Sequence, residues 1–155
     1  MPSSNRHKEY LSFQVAEKML AIPTAMAREV FQLTNLTVVP MTPPLLLGLT
    51  SLRGSVLPVF DLLSLWENKR RRWKQMKFRC IAVNHGKNNM AILCDRIGDI
   101  IALNEEHRIF SADEISDYSF QKDGMEIIEI DLDKLQHLAA VVIKRELKRK
   151  GVAVA

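Results

Sequence analysis

The sequence predicts a mostly-β protein built from small barrels, with one longer helix at its C-terminal end. Three observations carry that expectation. Apolar residues gather into about eight or nine runs of strand length. That frequency of short strands points to small barrels rather than to parallel β-α-β units. Only near the C-terminus does the apolar spacing change, where Leu132, Leu135, Leu138, Ala139 and Val142 recur at a helical period.

Taken in order, Tyr10, Phe13 and Val15 start a first strand and Met19, Leu20 and Ile22 a second, with Glu17-Lys18 as the turn between them. Pro23 closes this unit and opens a short helical turn through Arg28. Val30, Phe31 and Leu33 read as extended. Pro40, Pro43 and Pro44 forbid a long regular element in the next stretch. Gly48 and Gly54 bracket a strand over Leu49–Arg53. Val56, Leu57, Val59 and Phe60 form another, which Pro58 marks as an edge strand or a bulge. Asp61 is placed to cap a short helix over Leu62–Trp66.

The basic segment 67–75 lacks apolar periodicity and is expected to be exposed. Phe78–Val83 and Met90–Cys94 are strand-like, and the linking Asn84–Asn89, rich in residues tolerant of positive φ, is the best hairpin signal in the chain. Ile97, Ile100, Ile101 and Leu103 continue the β pattern. Residues 104–124 read as polar and irregular. Ile127, Ile128 and Ile130 make a final strand, after which Asp131 starts a helix that runs to Lys150 and stops at Gly151.

The chain has 155 residues, 47% hydrophobic and 26% charged, which fits one folded domain or two small subdomains and excludes a disordered chain. Cys80 and Cys94 sit in apolar runs and read as buried thiols in a reducing compartment. The N-terminus is polar, and the longest apolar run, Leu138–Ile143, is too short to cross a bilayer, so a cytoplasmic protein is expected. Residues 1–9 read as a loose leader, 10–138 as the domain, and 139–155 as a helical basic extension.

The net charge of +4 is unevenly spread. Lys69–Arg79 holds seven basic residues and no acid, and Lys144–Lys150 holds five basic residues against Glu146. Within the first cluster Arg70, Arg71, Arg72, Trp73 and Lys74 interleave cations with an indole, a pattern that can contact phosphates and stack on bases. The plainer reading is a solvated loop with Trp73 tucked onto the barrel. Cys80, His85 and Cys94 have no metal-ligand spacing, and His7, His107 and His137 lack a nucleophile partner. The pairs Asp95/Asp99 and Asp131/Asp133 read as caps and solvated faces. No catalytic set, metal or cofactor is expected.

The segment Gly48-Leu49-Thr50-Ser51-Leu52-Arg53-Gly54-Ser55-Val56-Leu57-Pro58-Val59-Phe60-Asp61-Leu62 resembles the central signature of the CheW family: a glycine, an apolar strand, Arg-Gly, then a strand ending in Pro-Val-x-Asp-Leu. Arg28-Glu29-Val30, the segment from Cys94 to Ile101 and the segment from Ile130 to Leu135 resemble other family steps in the same order. Together they cover roughly residues 10 to 138. The family usually has Val where Ala27 and Cys94 stand, and it carries a second Ile-x-Gly strand where this chain has only Asp123-Gly124-Met125. Closure of the second barrel over 104–126 is therefore left open.

The resemblance implies two small SH3-like β-barrel subdomains packed together, with short helices and a C-terminal helix. It implies a non-catalytic adaptor at receptor arrays, joining the tip of a methyl-accepting chemotaxis-type receptor to the regulatory domain of a CheA-type histidine kinase. No small-molecule substrate is implied, and the membrane is reached only through receptors. The alternative is a nucleic-acid-binding barrel relying on the basic segment 69–79. The docking residues implied are Glu29, Gly48, Arg53, Gly54, Pro58, Asp61, Ile97 and Ile100, with Glu29 facing Arg53. The candidate apolar surface is drawn from Val30, Leu47, Leu49, Leu52, Val56, Val59, Ile97, Ile100 and Ile101, some of which must instead be core.

Overall fold

A computed structural model of the chain describes residues 7–67, 70–75, 77–86, 88–111 and 113–151. Most of the leader, Lys69, Lys87 and the side chain of His85 lie outside that description.

The described chain forms two sheets and one C-terminal helix. The middle of the chain supplies a five-stranded sheet. Its strands are β3 (Ala27–Gln32), β4 (Leu46–Leu52), β5 (Ser55–Phe60), β6 (Arg79–His85) and β7 (Asn88–Cys94), in the order β3-β6-β7-β5-β4. The two ends of the chain supply a six-stranded sheet. Its strands are β1 (His7–Val15), β2 (Lys18–Pro23), β8 (Arg96–Asn104), β9 (Ile109–Phe110), β10 (Tyr118–Lys122) and β11 (Met125–Glu129), in the order β8-β1-β2-β11-β10-β9. The parallel pairing of β11 with β2 joins the two terminal stretches.

The five-stranded sheet curls shut where the chain beyond β3 meets β4. Thr37 and Leu49 exchange both backbone hydrogen bonds at 2.8 Å, and the Asn35 carboxamide oxygen accepts from Ser51 N–H and from the Thr50 hydroxyl. Gly48 makes this approach possible. A Cβ there would stand 2.6 Å from the Thr37 carbonyl oxygen and 2.9 Å from the Leu36 side chain.

Apolar burial is organised in three clusters. One lies inside the first barrel, around Leu47, Val59, Cys80 and Leu93. A small one lies inside the second, around Tyr10, Phe120 and Ile127. The largest sits between the sheets, where Phe13, Val15 and Ile22 of one meet Phe60, Ile81 and Ile92 of the other. Helix α1 (Leu132–Arg149) drops Leu132, Leu135 and Ala139 into this shared core. The Asp131 carboxylate accepts from Asp133 and Lys134 N–H at its start, and the chain leaves the helix at Gly151, which has positive φ.

Several sequence expectations need correction. The β1–β2 turn falls at Ala16-Glu17, one residue earlier than the Glu17-Lys18 expected. Strand β5 is interior, since it pairs with β4 on one side and, from Val59 onward, with β7 on the other. Pro58 is accommodated because the β7 ladder begins only after it. Residues 104–124 are more regular than they look. They contain a short 3-10 turn at Glu105–His107, then β9 and β10, and Asp123-Gly124, both with positive φ, turn β10 back into β11. An Asp-Gly pair between extended runs is a strong hairpin signal, masked here by the polarity of the flanking residues. Both cysteines are buried, and burial pushes the Cys80 thiol up to about 12 and raises that of Cys94 well above its ordinary value.

Candidate functional site

Strands β4 and β5 are joined by Arg53-Gly54, whose φ angles are 50° and 83°. Positive φ at both central positions defines the tight hairpin whose twist matches the flanking strands, and Gly54 takes it without steric cost. Arg53 pays a small conformational penalty to occupy the other position. The result is a guanidinium held at the tip of a hairpin, its side chain 78% exposed. Its Nη2 lies 3.1 Å from Glu29 Oε2 on β3. The pair spans the seam where the barrel closes and fixes the direction of an otherwise free side chain. Val56, just past the turn, is 66% exposed.

Other docking candidates separate by burial. Ile100 on β8 is exposed, Ile97 is half-buried against the shared core, and Pro58 is half-buried. Gly48 and Asp61 are buried, which corrects the expectation that they form part of a docking face. Gly48 lets the barrel close, and Asp61 holds the interior together. Within the proposed apolar surface Leu47 and Val59 are core, Leu49, Leu52 and Ile101 are half-buried, and Val30, Val56 and Ile100 face solvent.

The basic segment is not the free arm that its composition indicates. The Arg70 guanidinium donates to the carbonyl oxygens of Thr42, Pro43, Leu46 and Leu47. Arg71 is turned inward with only 10% of its side chain exposed, its guanidinium over the Phe78 ring. It forms an ion pair with Asp61, Nε to Oδ2 at 3.2 Å, and a two-pronged pair with Asp95. The Asp61–Arg71 contact is electrostatic rather than a well-directed hydrogen bond, and neither of those two atoms has a hydrogen-bond partner. The expected exposure is thus corrected for Arg71, whereas Arg70 is exposed as expected but has its guanidinium engaged by these carbonyl oxygens. Arg72 and Lys74 remain exposed, and Trp73 is half-buried against the first barrel's core.

Asp61 ends β5 of the first barrel, where its Oδ1 accepts from Leu63 N–H and starts a short 3-10 turn. Asp95 sits on the crossing from β7 to β8 and accepts from Ala16 N–H in the β1–β2 turn. One guanidinium therefore ties together the first barrel, the crossover and the second barrel. The electrostatics divide between the two acids. Burial raises the pKa of Asp61 above its ordinary value, with Arg71 opposing. Burial also works against the charge on Asp95, but hydrogen bonds from Arg71 and Ala16 outweigh it and leave its pKa lowered.

A second polar cluster escaped sequence reading. Glu129 on β11 is buried, accepts a forked pair from Arg108 at 2.8–3.1 Å and accepts from the Tyr10 hydroxyl at 3.3 Å. Arg108 also lies over the Tyr118 ring, 4.4 Å from its centroid. This cluster locks β1, β11 and the 108–118 segment of the second barrel. Among the described residues no group of three or more His, Cys, Asp or Glu side chains is placed to hold a metal ion.

A CheW-like domain model matches residues 9–116, which takes in the Arg53-Gly54 hairpin, Glu29 and both halves of the crossover. The chain belongs to the CheW-like domain family. FrzA of Myxococcus xanthus is 41% identical over 56 residues, a match spanning 36% of this chain but only 35% of FrzA. The chemotaxis protein CheW of Thermotoga maritima is 27% identical over 135 residues, 82% of this chain and 86% of that protein. The crystal structure of the scaffolding protein TtCheW from Thermoanaerobacter tengcongensis superposes with a TM-score of 0.72 at 22% identity, covering 85% of this chain and 89% of that one. That likeness concerns the fold, and it accounts for the two SH3-like barrels seen here. The family model ends at residue 116, before β10, β11 and α1.

Proposed function

We propose that this protein is a non-catalytic adaptor that couples sensory receptors to a CheA-type histidine kinase in chemotaxis or motility signalling. The observation that carries the reading is the Arg53 guanidinium, presented at an exposed hairpin tip and oriented by Glu29, inside the family's shared segment. An arginine fork of fixed direction recognises a carboxylate or carbonyl pair on a partner with defined geometry. Arginine next to exposed apolar residues, here Val56, is the composition that dominates protein interfaces. The names of the relatives, chemotaxis protein CheW and FrzA, support the same reading.

In this scheme Glu29, Arg53, Gly54, Pro58, Ile97 and Ile100 meet a kinase regulatory domain and a receptor tip, while Gly48 and Asp61 act from inside by holding the barrels in register. The working unit is residues 10–138, the protein is cytoplasmic, and it reaches membranes through receptors. The nucleic-acid reading loses support because Arg70 and Arg71 are already engaged by the protein's own carbonyls and carboxylates.

The test is a binding assay with an immobilised receptor hairpin tip and a kinase regulatory domain, comparing wild type with Arg53→Ala. The variant should keep its thermal unfolding profile and lose about tenfold or more in affinity, the scale of an interface arginine. Wild-type affinity in Arg53→Ala would remove Arg53 from the site.

A further inference from the structure

Helix α1 has fully buried residues only along its first half, and beyond Ala139 its contact with the shared core is partial, through Ile143. Leu132, Leu135 and Ala139 are buried in the shared core, but no residue of the helix from 140 onward is buried. On its outer flank lies an open hollow of about 440 Å³ formed by Glu114, Asp133, Lys134, His137, Leu138 and Val141. Its wall is almost wholly apolar, because the charged residues contribute their aliphatic stems beside Leu138 and Val141. Val141 is 38% exposed although it sits mid-helix.

The same flank continues toward the helix end as positive charge. Leu138, Val141, Arg145 and Lys148 follow one another at helical spacing and share one face. Glu146, the single acid in this stretch, is taken by Arg149 and Lys150, and Lys144, Arg145 and Lys148 have no ion pair among the described residues. Basic residues in the last turn of a helix oppose the macrodipole, and Lys148 and Arg149 meet that need. Lys144 and Arg145 stand a turn earlier, beyond what the dipole requires.

We propose that this flank of α1 is a docking surface for an acidic amphipathic helix of a partner protein, distinct from the Arg53 surface. The hollow takes apolar side chains at helical spacing, and Arg145 and Lys148 pair with acids on the partner's next turns. Charge distinguishes this partner from an anionic bilayer. Glu114 and Asp133 line the hollow and add negative charge that disfavours an anionic headgroup layer, whereas a helix with its acids gathered at one end can place them toward Arg145 and Lys148. A concave apolar spot also suits a ridge of side chains better than a flat lipid surface. Most of the surface lies on α1, beyond the 9–116 segment that the family model matches, and it does not depend on the adaptor reading.

The test uses the full chain and a fluorescent synthetic peptide with leucines along one helical face and glutamates clustered toward one end. A matching peptide with lysines for glutamates and phosphatidylglycerol vesicles serve as comparators. Fluorescence anisotropy should show saturable binding of the acidic peptide that weakens with salt. Val141→Asp and the double variant Arg145→Glu/Lys148→Glu should each weaken it at least tenfold with circular dichroism unchanged, while Arg53→Ala binds like wild type. Failure of wild type to bind the acidic peptide, equal affinity in the variants, or vesicle binding in preference to the peptide would each overturn the proposal. Loss of peptide binding in Arg53→Ala would merge this surface with the adaptor site and overturn the claim that it is separate.

Discussion

Two arginines, Arg53 and Arg71, each face a carboxylate, and their surroundings give them opposite roles. The Arg53 side chain is 78% exposed and meets Glu29 at the barrel rim, whereas that of Arg71 is 10% exposed and meets Asp61 and Asp95 at the joint between the barrels. In water the first pair contributes about 0–1 kcal/mol, so its value lies in aiming a guanidinium at a partner. At the joint the pair is insulated, and losing one member strands a buried charge. The same chemistry thus serves recognition where it is solvated and architecture where it is dry.

The largest effect expected from this contrast is that of Arg71→Ala. It leaves Asp61 buried without its cation and should lower unfolding free energy by about 3–5 kcal/mol in denaturant titrations. Adding Asp61→Asn should restore part of the loss, because the stranded charge is then gone. A stability equal to wild type in Arg71→Ala would show that the joint does not depend on this contact. Next in size is Gly48→Ala, which forces a methyl against the Thr37 carbonyl where the first barrel closes and should cost about 1–3 kcal/mol in the same measurement.

A smaller effect separates the two acids by pH. The Asp95 pKa is lowered on folding, so its contribution is fully present above the ordinary carboxylate range and is lost as pH falls through the depressed folded value. The Asp61 pKa is raised, so its protonation favours the folded state as pH falls and partly offsets that loss. Asp95→Asn should therefore flatten the acid limb of a stability–pH curve relative to wild type. An unchanged limb would mean that other carboxylates govern it. The smallest stability effect belongs to Arg53→Ala, which should unfold within about 1 kcal/mol of wild type even as receptor or kinase binding falls.

Much of the frame was legible in the residues. The strands around Phe13, Leu20, Val59, Ile81 and Ile92 announce themselves as apolar runs. Asp61, Asp131 and Gly151 stand where a cap or a stop is needed, and local chemistry decides such positions. The hairpin at Arg53-Gly54 and its partner Glu29 came from an ordered motif rather than from periodicity. What was not legible depends on contacts between distant residues. Arg70 and Arg71 look like members of a solvated basic run, and nothing nearby in the chain tells that Thr42, Leu46, Asp61 and Asp95 will surround them. Glu129, Arg108 and Tyr10 likewise meet only because β11 returns beside β2, next to β1.

By itself the sequence determined which segments extend, where they turn, that a glycine follows Arg53, and that the chain shares a family's ordered motif. These depend on side-chain size, φ preference and spacing, which act over a few residues. The tertiary structure alone decided which apolar residues are core and which face solvent, that Gly48 lies under the crossing segment Leu36-Thr37, and that one arginine of a basic run joins the barrels. Those outcomes depend on strand order and on which surfaces lose water together. Neither property belongs to any single stretch of chain, because each arises only when residues far apart in sequence are brought into contact.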